Sequence, residues 1–127
     1  MMAEKETIKR FVQKTLGCGC PEEVFRHIDH QTMFAMENLV LACKINVGNR
    51  LLIYVHRVAE GDDPATLLPV LIKAGMYERN RRGFNRFRLV LAGDREEIEK
   101  SALKAFDRIE KDEKVHLHIV NKDEIPC

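Results

Sequence analysis

The stretch NLVLACKINVGNRLLIYVHRV, residues 38–58, decides the architecture. Leu39, Leu41, Cys43, Ile45 and Val47 recur at every second position, the period of a strand with one buried face. Gly48-Asn49 tolerates the left-handed backbone of a tight hairpin turn, and Leu51 to Val58 supplies the return strand. A two-residue turn there sets Ile45 opposite Leu52, Cys43 opposite Tyr54 and Leu41 opposite His56. The other face holds Lys44 and Asn46, but also Leu51, Ile53 and Val55. Both faces of the second strand are partly apolar, so each needs cover.

Downstream, Asp62, Asp63 and Pro64 open a helix that runs to residue 80. Pro69 clashes with the preceding turn, which predicts a false start and a regular helix only from Pro69. Phe87 to Ala92 reads as a strand. Asp94 and Glu97 then have the spacing of a capping box, and Ile98, Ala102, Ala105, Phe106 and Ile109 form one helical stripe. Val115 to Val120 is a last strand before a polar tail that ends at Cys127. Strands joined through helices run parallel, with right-handed crossovers.

Upstream, residues 4–16 form an amphipathic helix through Ile8, Phe11, Val12 and Leu16, with Gly17 as its stop. Pro21, Glu22 and Glu23 suit the first turn of a second short helix capped by Cys20, with Val24, Phe25 and Ile28 facing inward. The expected fold is therefore α/β: a four-stranded mixed sheet in ββαβαβ order, preceded by two N-terminal helices that cover its second face. One domain is expected over residues 1–127, with the helical pair at 1–36 and the sheet unit at 37–127. The order is neither ferredoxin-like nor that of thioredoxin, and no P-loop or dinucleotide glycine pattern is present.

The 127 residues are 45% hydrophobic and 32% charged, which is too apolar for a disordered chain. Twenty-one Lys and Arg against 20 Asp and Glu leave a net charge of +1, so any nucleic-acid or membrane role rests on a local patch. The N-terminus has no apolar signal segment, and apolar runs fall well short of the ~20 residues a membrane span needs. A soluble cytoplasmic protein is expected. In that compartment Cys18, Cys20, Cys43 and Cys127 read as thiols or metal ligands before disulfides.

Cys18-Gly19-Cys20-Pro21 is the first motif that carries chemistry. Glycine lets the backbone bend tightly, and a helix N-terminus stabilises a thiolate, while Glu22 and Glu23 oppose that effect. A thiolate pair supplies two ligands to zinc or an iron–sulfur cluster, with His27, His30 and Cys43 as candidates to complete the set. On a continuous helix Cys20 and His27 stand about 10 Å apart, which disfavours one mononuclear site. The same pair suits thiol–disulfide chemistry, one sulfur attacking and the other resolving. It also suits plain packing, since cysteine behaves as a small apolar residue.

The second motif is Arg79, Arg81, Arg82, Arg86 and Arg88, five of eleven arginines within ten residues, interleaved with Asn80, Phe84 and Asn85 and no carboxylate. Guanidinium forks suit phosphate and aromatics stack on bases, which points to RNA, DNA or a phosphorylated ligand. The structural alternative is a helix C-terminus complemented by cations and a strand with outward arginines. His116 and His118 share one face of the last strand, and His56 sits near a strand end. Glu60, Asp62, Asp63, Asp94 and Asp123 fall at the C-terminal edge of the strands, as Mg²⁺ ligands or, for three of them, helix caps.

Three functions fit: a metal-binding or thiol-redox accessory protein using Cys18 and Cys20, a nucleic-acid or phosphate-binding module using the arginines, or a non-catalytic interaction protein, such as a homodimer paired through the hairpin edge.

Overall fold

The computed structural model describes residues 5–36 and 39–127. Helix α1 (Lys5–Arg10) runs into a wider turn at Phe11–Thr15, and a short 3-10 helix spans Glu22–Arg26. Five strands and two longer helices follow: β1 (Ile28–Met36), β2 (Leu39–Val47), β3 (Leu51–Arg57), α2 (Pro64–Arg82), β4 (Arg86–Gly93), α3 (Arg95–Arg108) and β5 (Val115–Asn121). The expected helix start at residue 4 and strand start at residue 38 lie outside the described residues.

The chain is α/β with one mixed sheet, its strands lying side by side in chain order. Pairs β1–β2 and β2–β3 are antiparallel, and β3–β4 and β4–β5 are parallel. One face packs Leu52, Tyr54, Phe87, Leu89 and Leu91 against Leu68, Leu71 and Ile72 of α2 and Ile98 and Ala102 of α3. The other packs Cys43, Ile45, Val47, Ile53, Val55 and Val90 under Ile8, Phe11, Val12, Leu16, Val24 and Phe25. The doubly apolar β3 is covered on both sides, and the residues 5–26 cover the second face as expected.

Four features differ from the sequence reading. The sheet has five strands, because β1 occupies residues assigned to the N-terminal helical pair. Only Ile28 of β1 is fully buried, so an edge strand of this kind carries no strong alternation; its pairing to β2 makes it a strand. The second N-terminal helix is a five-residue 3-10 segment. It ends where the His27 carbonyl accepts from Gly48 N–H at 2.7 Å, a bond from the hairpin turn that draws the chain out of helix. Val24 packs so closely on Gly48 that a Cβ there would collide with it.

The hairpin register is shifted by one. Gly48 and Asn49 both take positive φ, at 61° and 57°, and Arg50 N–H closes the turn on the Val47 carbonyl at 3.1 Å. Arg50 nonetheless stays unpaired, and Val47 pairs with Leu51, Ile45 with Ile53 and Cys43 with Val55. Asn46 holds the turn through two 2.8 Å hydrogen bonds to Asn49. The Arg50 carbonyl accepts from Asn85 N–H at 2.8 Å and Arg86 N–H at 3.1 Å, which locks the extra residue to the start of β4. A one-residue slip exchanges the faces. Tyr54 thus joins the α2 side, and Cys43 shares its face with Leu51, Ile53 and Val55.

Finally, α2 is continuous through Pro69 rather than settling there. Asp63 caps it, accepting from Ala65 N–H at 3.1 Å and the Thr66 hydroxyl at 3.2 Å, while Leu68, Leu71 and Ile72 dock it on the sheet. Asp94 caps α3 by accepting from Glu97 N–H, as its spacing predicts.

Candidate functional site

Leu16 ends the first helical segment with its N–H on the Phe11 carbonyl, and Cys18 N–H returns to the Val12 carbonyl, both at 3.0 Å. Gly17 between them has φ +66°, so the chain turns sharply into Cys18-Gly19-Cys20. Cys18 and Cys20 are joined by a disulfide across a Cα–Cα distance of 5.4 Å. Both are partly buried against the core, whereas Gly19 is exposed. No α-helix follows to stabilise a thiolate through its N-terminus. Glu22, expected to oppose one, forms an ion pair with Lys9.

An open cleft of about 450 Å³ lies beside this loop. Cys18, Gly19, Cys20 and Pro21 of the loop line it together with Arg50, Asn85, Arg86, Arg88 and His116. Arg86 and Arg88 reach it because β4 alternates: Phe87, Leu89 and Leu91 point at α2 and α3. His116 and His118 alternate likewise on β5, beside the two arginines.

Arg88 anchors this group. Its Nη1 donates to the Leu16 carbonyl at 3.1 Å and meets His118 Nε2 at 2.8 Å, and its buried Nε has no partner. Arg86 Nη1 meets His116 Nε2 at 3.3 Å. Burial first, then Arg86, lowers the pKa of Arg88. Burial pushes His118 down to about 4, with Arg88 and His116 adding to the effect, and burial, Arg88 and Arg86 lower His116. Neutral imidazoles therefore accept the guanidinium N–H groups and leave the positive charge uncompensated. Among the described residues, no carboxylate stands within 4 Å of Arg50, Arg86 or Arg88.

The five-arginine cluster is otherwise divided. Arg79 is buried and pairs with Asp112, Nη1 to Oδ1 at 2.9 Å and Nη2 to Oδ2 at 2.5 Å. That hydrogen bonding holds the Asp112 carboxyl below its usual range. Arg82 pairs with Glu78 at 2.8 Å and lies over the Phe84 ring, and exposed Arg81 lies over Tyr77. Asp112 lies 33 residues from Arg79, and Glu78 stands one helical turn before Arg82, so the run of arginines overstates the free positive surface.

The other candidate ligands are dispersed. His27 pairs with Asp29 at 3.0 Å on the surface, and His30 lies opposite Ile45 on β1. Cys43 is bonded to Cys127, 84 residues away, at a Cα–Cα distance of 6.1 Å. Rather than hanging free, the C-terminus is held there, and Arg57 Nη2 donates to the Cys127 carbonyl at 2.6 Å. All four cysteines are disulfide-bonded, contrary to the expectation of thiols. Among the described residues, no three His, Cys, Asp or Glu side chains form a group suited to a metal ion. Asp62, Asp63 and Asp94 serve as turn and helix caps. No local pattern in the sequence singles out Arg50; its place in the hairpin turn brings it to the cleft.

No helix among the described residues is long and apolar enough to cross a membrane. No protein-family model, curated protein or solved structure matches the chain.

Proposed function

We propose that this protein carries out thiol–disulfide exchange through Cys18 and Cys20. The observation that carries the reading is the bonded pair lining an open cleft shared with arginines that have no carboxylate partner among the described residues. A thiolate from a substrate attacks one sulfur of the pair, forms a mixed disulfide and expels the other sulfur as a thiolate. A second substrate thiolate attacks the mixed disulfide and leaves as the substrate disulfide. Two substrate thiols are thereby oxidised by two electrons, and Cys18 and Cys20 take up those electrons as thiolates. The nearby guanidinium charge favours the thiolate form of the reduced pair. Run backwards, the reduced pair cleaves a substrate disulfide.

The test is trapping. Cys18→Ser and Cys20→Ser variants each lack the resolving sulfur, so at least one should accumulate a one-to-one mixed disulfide with a small disulfide reagent, seen by intact mass. If neither variant forms the adduct faster than an unfolded peptide bearing one cysteine, the exchange reading fails. Metal analysis of the reduced protein separates the ligand reading: stoichiometric zinc or iron lost in the double variant would replace exchange with metal binding.

A further inference from the structure

We infer that the substrate of this exchange is a small thiol bearing a carboxylate or sulfonate, its anion held by Arg50 and Arg86 while its sulfur meets the Cys18–Cys20 pair. The inference rests on the exchange reading and adds the chemical class of the substrate.

Three observations carry it. The first is juxtaposition: the cysteine loop and both arginines border the same cleft. At about 450 Å³ it falls within the ~300–1,000 Å³ typical of small-molecule sites. The second is that the backbone brings the two arginine positions together. The Arg50 carbonyl accepts from Asn85 and Arg86 N–H, and Leu51 pairs with Arg86, so the backbone holds these two residues together, and both line the cleft. Arg88 stands two residues further along the same face. The third is that nothing among the described residues neutralises them: Arg86 and Arg88 contact imidazoles, and no carboxylate approaches either. An anion completes such a cluster.

A nucleic acid fits less well. No Phe, Tyr or Trp lines the cleft for base stacking, and Arg79 and Arg82 are committed to Asp112 and Glu78.

The experiment follows reduction of Cys18–Cys20 in the intact protein by 2-mercaptoethanesulfonate, thioglycolate, 2-mercaptoethanol and cysteamine, with the site resolved by alkylation and peptide mass. A linear disulfide peptide with the Cys-Gly-Cys-Pro sequence supplies the intrinsic reactivity of each thiol. At low salt, the ratio of either anionic thiol to mercaptoethanol should exceed the peptide's ratio by about tenfold, and cysteamine should fall below it. The advantage should shrink at 1 M salt and disappear in the Arg50→Gln, Arg86→Gln double variant. Arg95→Gln, on α3 and paired with Glu99, should retain it. Ratios equal to the peptide's, together with rates above the peptide's, would overturn the anionic substrate and leave exchange standing. A pair that none of the four thiols reduces would overturn both.

Discussion

The Arg88 guanidinium donates to the Leu16 carbonyl at 3.1 Å, across 72 residues of sequence. It ties the middle of the parallel sheet to the last turn before the cysteine loop. Loss of a charged hydrogen bond at a half-buried site costs about 1.5–3 kcal/mol, partly offset here because Arg88 Nε has no partner. Arg88→Met keeps most of the side-chain volume. It should lower stability to urea by about 1–2 kcal/mol and speed hydrogen exchange at Cys18 N–H. Unchanged exchange at that amide would show that Arg88 does not hold the loop.

His118 sets a pH dependence of stability. Its folded pKa, about 4, lies below the unfolded 6.5, so between those values the unfolded chain binds the extra proton. The stabilisation is complete above pH 6.5 and is lost as pH falls towards 4. His116 and His56 are shifted in the same direction. In His118→Gln, the slope of unfolding free energy between pH 5 and 6 should fall by about 1.4 kcal/mol per pH unit, one proton's worth. Denaturant titrations at a series of pH values would measure it, and a variant with the parent's slope would contradict the assignment.

Glu78 is the hub of a buried polar cluster on the α2 side. It accepts from the Tyr54 hydroxyl at 2.5 Å and pairs with Lys44 and Arg82, each at 2.8 Å. Burial alone would raise its pKa, but hydrogen bonds from Lys44, Tyr54 and Arg82 hold the carboxyl below its usual value. Burial first, and then Glu78, pushes the Tyr54 hydroxyl up. Glu78→Ala strands a nearly buried Lys44 ammonium and should cost about 3–5 kcal/mol. Glu78→Gln keeps an acceptor for Tyr54 and should cost less. Thermal unfolding of both would rank them, and equal losses would mean that the retained acceptor contributes nothing and the lost charge accounts for the whole effect.

Gly75 lets α2 approach the sheet. A Cβ there would collide with the ring of Phe87, which also stands edge-on to Tyr54 at 4.9 Å. Alanine is the better helix former by about 1 kcal/mol, yet overpacking costs about 1–3 kcal/mol. Gly75→Ala should therefore be destabilising in the parent and less so in a Phe87→Leu background. A double-mutant cycle showing simple additivity would remove the Phe87 contact as the cause.

Much of this fold was legible because its signals are local. The stripe Ile8, Phe11, Val12 and Leu16 is buried as its spacing implies, Asp94 caps α3, and the β3–α2–β4–α3–β5 succession follows from period and punctuation. The legibility fails where a partner, and not the segment's own pattern, sets the structure. β1 has no pattern of its own and exists because Leu39–Val47 offers an edge. Residues 21–28 carry respectable helix-start chemistry, which the bond between the Gly48 N–H and the His27 carbonyl overrides. Among the arginines, composition could not separate Arg79, sealed on Asp112, from Arg86, open to the cleft.

By itself, then, the sequence determined the alternation of strands and helices and the two residue types with chemistry to offer, the close cysteines and the arginines, since periodicity, caps and turn residues act within a few positions. The tertiary structure decided the hairpin register, the fifth strand, the Cys43–Cys127 partnership and the meeting of Cys18–Cys20 with Arg50, Arg86 and His116. The last two join groups tens of residues apart, and the first two depend on which backbone groups a neighbouring strand leaves free to pair. Their contact energies exist only once the sheet has closed the intervening loops, and no local pattern encodes that step.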